Sequence, residues 1–163
     1  MMTENKRLIA QQQKIIHKLS WNEGFGCHTR AGFEHVIWPL IAHRTRFLIF
    51  FDINGMHALN ESHGSYGPVD AMIKQVLSVV RTTDYVCGQV KSGDEFVIAL
   101  TEDDARPSVD PEGLRDRLVQ EFARHGMSAM FAIVPVKGTD LVENLTPAID
   151  QVYEQKKTRG GAR

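Results

Sequence analysis

Three carboxylates in two short stretches are the residues of this sequence best suited to chemistry. Asp94 and Glu95 stand side by side in the turn at 92–95, and Asp52 ends an apolar run that lies earlier in the chain. Apolar runs on both sides of a glycine-containing turn predict a β-hairpin over residues 86–100. If the strand that ends at Asp52 lies beside this hairpin, Asp52 and Asp94 can face one another. Hard oxygen ligands of this kind suit Mg²⁺ bound with a nucleotide phosphate, and they do not suit zinc.

The rest of the chain supplies alternating strands and helices that would position these carboxylates. Continuous apolar runs predict strands over 46–52 and 127–136. Apolar residues at helical spacing predict four helices, over 30–42, 69–80, 111–124 and 141–157. This alternation predicts an α/β or α+β domain in which helices cover a single sheet.

Glycine, proline and clusters of polar residues mark the expected loops between these elements. Segments 21–30 and 102–113 are predicted to be loops, and segment 53–67 a mixture of short helix and loop. Proline lacks a backbone N–H and clashes with the preceding helical turn. Pro39 should therefore kink the helix over 30–42 or end it early, and Pro147 should make the start of the last helix irregular.

Residues 1–20 are predicted to form an N-terminal helix ahead of a domain that spans residues 21–163. Its apolar side chains form one narrow stripe of Leu8, Ile9, Ile15, Ile16 and Leu19. Two heptads are too few to identify a coiled coil, so docking on the following domain and dimerisation are equally open.

The composition is that of an ordinary globular protein, with 42% hydrophobic and 24% charged residues. A net charge of −1 provides no broad basic surface, so we predict no binding of DNA or RNA. No apolar run reaches the length of a membrane span and no signal peptide is visible, which predicts a cytoplasmic protein without membrane insertion.

Cys27 and Cys87 lack the spacing of a metal site or a disulfide framework. They indicate buried thiols in a reducing compartment, although one isolated disulfide is left open.

The segment SGDEF at 92–96 resembles the signature of the GGDEF domain, the diguanylate cyclase family. Further blocks of that family occur in the same order, and together they cover about residues 22–156. They are NEGFGCHTRAGF at 22–33, FDINGMHALNESHG at 51–64, DAMIKQV from Asp70, RTTD at 81–84 and YEQKK from Tyr153. These resemble, in turn, the family's DxLTGLxNRRxF, its DIDxFKxINDxxGH, the helix that starts at its GD pair, its RxxD motif and its closing YxAK.

The resemblance implies a GGDEF-type palm, with a central mixed sheet of about five strands wrapped by helices and preceded by the N-terminal helix. It also implies a homodimer in which each copy holds one GTP. The 3′-hydroxyl of each GTP would attack the α-phosphate of the other, giving cyclic di-GMP and pyrophosphate. Two Mg²⁺ or Mn²⁺ ions would lower the pKa of the attacking hydroxyl and neutralise phosphate charge.

The same resemblance implies roles for individual residues. Asp52, Asp94 and the carbonyl of Ile53 would be metal ligands, and Glu95 would assist the metal or the 3′-hydroxyl.

The nucleotide itself would be bound by five further positions. Asn60 would hydrogen-bond the base, Asp70 would accept the N1 and N2 hydrogens of guanine, and Lys156 would neutralise phosphate charge. Gly93 would let the backbone approach the nucleotide closely. His57 stands where the family has a phosphate-binding lysine.

Arg81 and Asp84 would form the product-binding RxxD motif, at which cyclic di-GMP inhibits. They lie seven residues before SGDEF, where the family has five. Other departures are Ser92 for the first glycine of the signature, Asn54 for the second aspartate of DxD, and one inserted residue before Asp70.

These departures leave two further hypotheses open. One is a catalytically silent domain that binds GTP or cyclic di-GMP and signals through a partner. The other is a cyclase with altered base choice.

Overall fold

A computed structural model describes residues 4–103 and 108–160. Its centre is a six-stranded mixed sheet with the strand order β1-β2-β4-β5-β3-β6. The strands are β1 Trp21–Asn22, β2 Cys27–His28, β3 Thr45–Ile53, β4 Tyr85–Gly88, β5 Glu95–Thr101 and β6 Ala129–Pro135. Neighbouring strands are antiparallel except for the parallel pair β2–β4. The predicted central mixed sheet is confirmed.

Two of these strands, β1 and β2, come from segment 21–30, which was wrongly predicted to be only a loop. Strands β1 and β2, of two residues each, form a small antiparallel ribbon in which Trp21 pairs with His28. His28 in turn pairs with Cys87 of β4, which joins the ribbon to the sheet. Strands this short contain too few residues to produce the alternating pattern by which strands are predicted.

Helices cover both faces of this sheet. They are α1 Glu4–Ser20, α2 Arg30–Gly32, α3 Trp38–Ile41, α4 Met56–Ser62, α5 Gly67–Leu77, α6 Pro111–Arg124 and α7 Leu141–Gly160. Helix α5 was predicted over 69–80 but ends at Leu77, because residues 78–80 continue in tight turns that bond three residues back. The loop predicted over 102–113 falls partly outside the described residues.

Pro147 does not act as the sequence predicted, and of the two outcomes predicted for Pro39 the early end of the helix is wrong. Phe33–Ile37 forms a π-helical turn, α3 follows with Pro39 in its first turn, and a 3₁₀ turn continues to Arg44. The wider turn before Pro39 accommodates the proline ring, so the helical segment does not end early. Helix α7 also begins regularly, because the carboxylate of Asp140 accepts a hydrogen bond from the backbone N–H of Glu143 at 2.9 Å.

Alternate residues of the central strand β3 are buried on opposite faces of the sheet. Leu48 and Phe50 belong to the core under α7, whereas Ile49, Phe51 and Ile53 belong to the core under α5 and α6. Because Asp52 follows the same alternation, its side chain lies on the α7 face. The Asp52 carboxylate therefore lies at the end of the row of buried apolar side chains that β3 presents to α7.

Cys27 and Cys87 are both free and buried. They belong to the cores on opposite faces of the sheet, so the disulfide that the sequence left open does not form. Burial raises the pKa of each thiol to about 12.

Within residues 4–103 and 108–160, no helix has both the length and the apolar character needed to cross a membrane.

Candidate functional site

The pairing of β3 with β5 brings the acidic stretches together. In the antiparallel register Asp52 stands opposite Glu95. Beyond that pair, the backbone N–H of Ile53 donates to the carbonyl of Asp94 at 2.9 Å. The condition under which the sequence let Asp52 face the hairpin turn, that β3 lies beside the hairpin, is met, although the residue directly opposite Asp52 is Glu95 and not Asp94.

The Glu95 carboxylate accepts hydrogen bonds from the backbone of its own hairpin turn. Its Oε2 accepts the backbone N–H groups of Lys91 and Ser92 at 3.0 and 3.1 Å, and its Oε1 accepts the hydroxyl of Tyr153 at 2.9 Å. Glu95 is buried, and its hydrogen bond from Tyr153 raises the pKa of that phenol to about 12. Glu95 thus ties the turn to helix α7.

Asp52 is 1% exposed and carries its charge at the end of the buried strand. Burial raises the pKa of Asp52 above its usual range, a hydrogen bond from Lys156 opposes this rise, and the negative charges of Asp94 and Glu95 add to it. The Nζ atom of Lys156 lies 2.5 Å from Oδ2 of Asp52. Asp52 is therefore paired with Lys156 and is influenced by the negative charges of Asp94 and Glu95.

Asp94 has a different environment, because it borders a cavity on the α4–α5 side of the hairpin. Its Oδ1 accepts the hydroxyl of Ser92 at 2.6 Å, so the serine that replaces the first glycine of the signature orients this carboxylate. A Cβ atom at Gly93 would meet only the Gln89 side chain, at 3.9 Å. The backbone at Gly93 consequently leaves open space toward the cavity.

The cavity has a volume of about 400 Å³ and gathers most of the predicted nucleotide-binding residues. Its lining consists of Asn22, Phe25, Met56, His57, Asn60, Tyr66, Asp70, Gln89, Gly93 and Asp94. Within the described part of the chain, the Oδ1 atom of Asn60 is buried and has no hydrogen-bond partner. Burial raises the pKa of Asp70. A buried acceptor without a partner is costly unless a ligand or water satisfies it.

Gly55 lets the chain turn from β3 into this cavity wall. It has a φ of 65°, the left-handed conformation that glycine adopts without strain, and helix α4 begins directly after it. His57 in α4 is exposed, and its Nε2 lies 3.2 Å from a carboxylate oxygen of Glu61. His57 thus lies at the edge of the cavity.

Sequence reasoning missed several residues of the cavity. Tyr66 is 70% exposed, and Gln89 has a φ of 56° although it is not glycine. An aromatic residue in a turn-rich segment was the available signal for Tyr66. Nothing in the sequence pointed to Gln89, which lies in the loop that joins β4 to β5. Tyr153 belongs to the YEQKK block, but the resemblance implied no role for its side chain.

Arg81 and Asp84 lie apart from this group, at the other end of the hairpin strands. The Nε and Nη2 atoms of Arg81 donate to the two oxygens of Asp84 at 2.8 and 2.9 Å. Asp84 is buried, and its Oδ1 also accepts the backbone N–H of Thr101 at 3.0 Å. Both side chains are therefore engaged in fastening the start of β4 to the end of β5, and their role in binding product stays a prediction.

The donor atoms at the end of β3 match the chemistry of a hard divalent cation. Asp52, Asp94 and the carbonyl of Ile53 supply oxygen atoms, which Mg²⁺ and Mn²⁺ prefer. Within the described ranges, however, no three His, Cys, Asp or Glu side chains are grouped closely enough to hold a metal by themselves. A Mg²⁺ site here fits only if water or phosphate oxygens complete the coordination, as is usual for this ion.

Solved structures with the same fold are GGDEF domains. The coiled coil and GGDEF domain of DgcB from Caulobacter crescentus, in complex with c-di-GMP, superimposes with a TM-score of 0.70 at 13% identity, over 95% of this chain and 90% of that one. A microbial GGDEF domain with cyclic di-GMP gives 0.67 at 14% identity, over 86% and 94%. The diguanylate cyclase SiaD from Pseudomonas aeruginosa, with its activator SiaC, gives 0.63 at 12% identity, over 96% and 66%.

The sequence matches no protein-family profile and no curated protein. The identities to the solved structures are low, so these similarities establish the fold. The chain has the fold of GGDEF domains, as SGDEF and its accompanying blocks predicted.

Proposed function

We propose that this chain is a nucleotidyl cyclase that condenses two GTP molecules into cyclic di-GMP and pyrophosphate as a homodimer. The observation that carries the proposal is the β3–β5 register, which sets Asp52 opposite Glu95 and Ile53 beside Asp94. Of these residues, Asp94 lines the cavity. The fold shared with a diguanylate cyclase supports the same reaction.

The cavity suits a guanine nucleotide in size and polarity. Its volume of about 400 Å³ falls within the roughly 300–1,000 Å³ of ordinary ligand pockets. The carboxylate of Asp70 would accept the two N–H groups of the guanine edge, and the unpartnered Oδ1 of Asn60 would accept from the same ligand. Adenine presents no such pair of donors, so these residues favour GTP over ATP.

Asp52, Asp94 and the Ile53 carbonyl would hold Mg²⁺ or Mn²⁺. The bound ion would lower the pKa of the attacking 3′-hydroxyl and neutralise charge on the phosphates. Lys156, whose side chain is 39% exposed, would then be released from Asp52 to bind phosphate. Tyr153 and Glu95 would hold the hairpin turn in place, which keeps Asp94 at the cavity.

A homodimer is part of the proposal because one cavity holds one nucleotide. The hydroxyl that attacks each α-phosphate would come from the nucleotide of the second copy. Product formation should therefore rise faster than linearly with protein concentration until dimers saturate.

A second candidate is a silent domain that binds GTP or cyclic di-GMP and signals through a partner. Three observations favour it. Asp52 is already paired with Lys156, and His57, which stands in place of the family's phosphate-binding lysine, lies beside Glu61. No three His, Cys, Asp or Glu side chains of the described residues are grouped closely enough to form a metal site. SiaD was solved with an activator protein, which illustrates partner regulation on this fold. A cyclase with altered base choice is the third candidate, motivated by the inserted residue before Asp70.

Binding and turnover measured side by side separate these candidates. GTP and ATP would be titrated into the protein by calorimetry with Mg²⁺, and pyrophosphate release would be followed in parallel. The matched variants are Asp70→Asn in the cavity and Asp116→Asn on the exposed face of α6.

A cyclase for GTP should bind GTP more tightly than ATP and release pyrophosphate. Asp70→Asn should weaken GTP binding by about tenfold to a hundredfold, since a hydrogen bond to a charged group is worth roughly 1.5–3 kcal/mol. Asp116→Asn should change nothing. Tight binding without pyrophosphate would favour the silent domain, and equal use of ATP would favour altered base choice.

A further inference from the structure

A second cavity lies on the opposite side of the hairpin from the candidate nucleotide cavity. It has a volume of about 140 Å³, opens to solvent on one side and is bordered by the sheet, the π-helical turn, helix α7 and the hairpin loop. Its inner walls are made by six buried apolar side chains: Phe33, Cys87, Val90, Val97, Leu145 and Ile149. The function proposed above uses none of these residues.

The chemistry of the walls excludes a polar occupant from the interior. Burial raises the pKa of the Cys87 thiol to about 12, so this side chain is uncharged at neutral pH. An engineered, enclosed cavity of about 150 Å³ with an apolar lining stays dry and binds benzene, and the interior of the present cavity has a similar volume and an apolar lining. The side chains that line the cavity have no van der Waals partners on the side that faces the empty space, and a ligand that fills the space supplies these contacts.

The charges at the mouth balance one another. Arg30 faces Glu34, with Nε 3.6 Å from Oε2, and Lys91 and Asp150 complete the rim. Two positive and two negative side chains give no preference for an anion or a cation. The mouth therefore selects neither a carboxylate nor an amine.

We propose that this cavity is a second ligand site, which takes one compact, uncharged, apolar molecule the size of a single aromatic ring. The site belongs to the same structural unit as the hairpin turn. Val90 and Lys91 form part of its wall, and their backbone N–H groups donate to the backbone carbonyl and the carboxylate of Glu95. A bound ligand therefore contacts the loop that positions Asp94.

Helix α7 connects the cavity to the carboxylates a second time. Leu145 and Ile149 line the cavity, and one turn further along the helix Tyr153 donates to Glu95. The ligand thus contacts both elements that hold Glu95. This proposal concerns binding and the hairpin alone, and it does not depend on nucleotide turnover.

The test uses toluene as the uncharged probe, with benzoate and benzylammonium as charged counterparts of the same ring. Each is titrated into ¹⁵N-labelled full-length protein in the absence of nucleotide, and amide chemical shifts are followed. We expect saturable shifts with toluene that include the amides of Val90, Lys91 and Ser92. The charged probes should bind about tenfold more weakly or worse, because a charge in an apolar cavity loses its hydration.

A matched pair of threonines on α7 supplies the variants. Thr146 is exposed at the cavity mouth and its hydroxyl donates to the carbonyl of Val142 at 2.8 Å. Thr158 is exposed away from the cavity and makes the equivalent bond to Glu154 at 3.0 Å. Thr146→Phe should block the mouth and abolish the toluene shifts, whereas Thr158→Phe should retain them. Val142→Trp, at a second exposed position of the mouth, gives the same test if Thr146→Phe does not fold.

The outcomes are distinct from failure of the cyclase proposal, because no readout uses nucleotide. Saturable toluene binding that Thr146→Phe or Val142→Trp removes would support the site. Absence of toluene binding, binding that both mouth variants retain, or equal binding of benzoate or benzylammonium would overturn it.

Discussion

The Nζ atom of Lys156 lies 2.5 Å from Oδ2 of Asp52, so the last helix of the chain is paired with the carboxylate at the end of the central strand. The resemblance to GGDEF domains assigned the two residues separate roles, one with metal and one with phosphate. Their contact couples these roles. A cation bound by Asp52 would displace the ammonium of Lys156, which would then be available for phosphate.

Removal of Lys156 should destabilise the protein. Lys156→Met leaves the buried Asp52 carboxylate without its cation, which is costly, although the partial exposure of Lys156 reduces the effect. We expect a loss of about 1–2 kcal/mol in the free energy of unfolding, measured by urea denaturation without divalent cations. Lys157→Met is the control, since Lys157 pairs with Glu154 on the exposed surface. An equal loss in both variants would contradict the account.

The stability of the metal-free protein should decline with rising pH because of Asp52. Its pKa is raised above the ordinary 3.8 in the folded state, so the folded protein binds more protons than the unfolded chain between the two values. Stability therefore falls as the pH rises upward from about 4 through the folded pKa. Asp52→Asn should remove this part of the decline in urea denaturation between pH 4 and 7. A constant difference between the two proteins over that range would refute the assignment.

Tyr153 should stabilise the hairpin turn through Glu95. Tyr153→Phe removes the hydroxyl that Oε1 of the buried Glu95 accepts, and leaves a charged acceptor without that partner. The expected loss is about 1–3 kcal/mol in the free energy of unfolding, together with faster hydrogen exchange at the amides of Lys91 and Ser92. Tyr66→Phe, at an exposed tyrosine, should have no comparable effect. Unchanged exchange in Tyr153→Phe would show that the bond does not support the turn.

The N-terminal helix should associate with a second copy of itself. Helix α1 has no buried residue, and Leu8, Ile9, Ile15, Ile16 and Leu19 are each at least half exposed. Docking on the following domain would have buried this stripe, so of the two open alternatives we favour dimerisation. Ile9→Glu with Ile16→Glu should lower the dimer fraction in analytical ultracentrifugation, and Gln11→Glu should not. A dimer fraction unaffected by the double substitution would contradict dimerisation through this helix.

Elements with strong local signals were predictable from the sequence. Pro111 and the capping carboxylate of Asp110 mark the start of α6, which was predicted over 111–124 and is observed there. The apolar run of β3 was predicted over 46–52 and extends one residue further at each end. The apolar runs on both sides of the glycine-containing turn predicted the hairpin, whose strands are β4 and β5.

Relationships between distant segments could not be predicted in the same way. The Tyr153–Glu95 bond joins residues 58 positions apart, and it exists only because α7 packs across the end of β5. The π-helical turn before Pro39 depends on packing that a proline rule does not include. The apolar cavity behind the hairpin is lined by residues of the π-helical turn, the hairpin and α7, which lie far apart in the sequence.

Mass-spectrometric identification of the product tests the central proposal most directly. The purified chain would be incubated with GTP, and with equal GTP and ATP, in Mg²⁺ and in Mn²⁺, at concentrations that permit dimers. Asp94→Asn serves as the inactive variant and Asp116→Asn as its exposed counterpart. We predict cyclic di-GMP from the wild type and from Asp116→Asn, and none from Asp94→Asn. Nucleotide binding without any cyclic dinucleotide, across all these conditions, would contradict the cyclase and leave a silent nucleotide-binding domain.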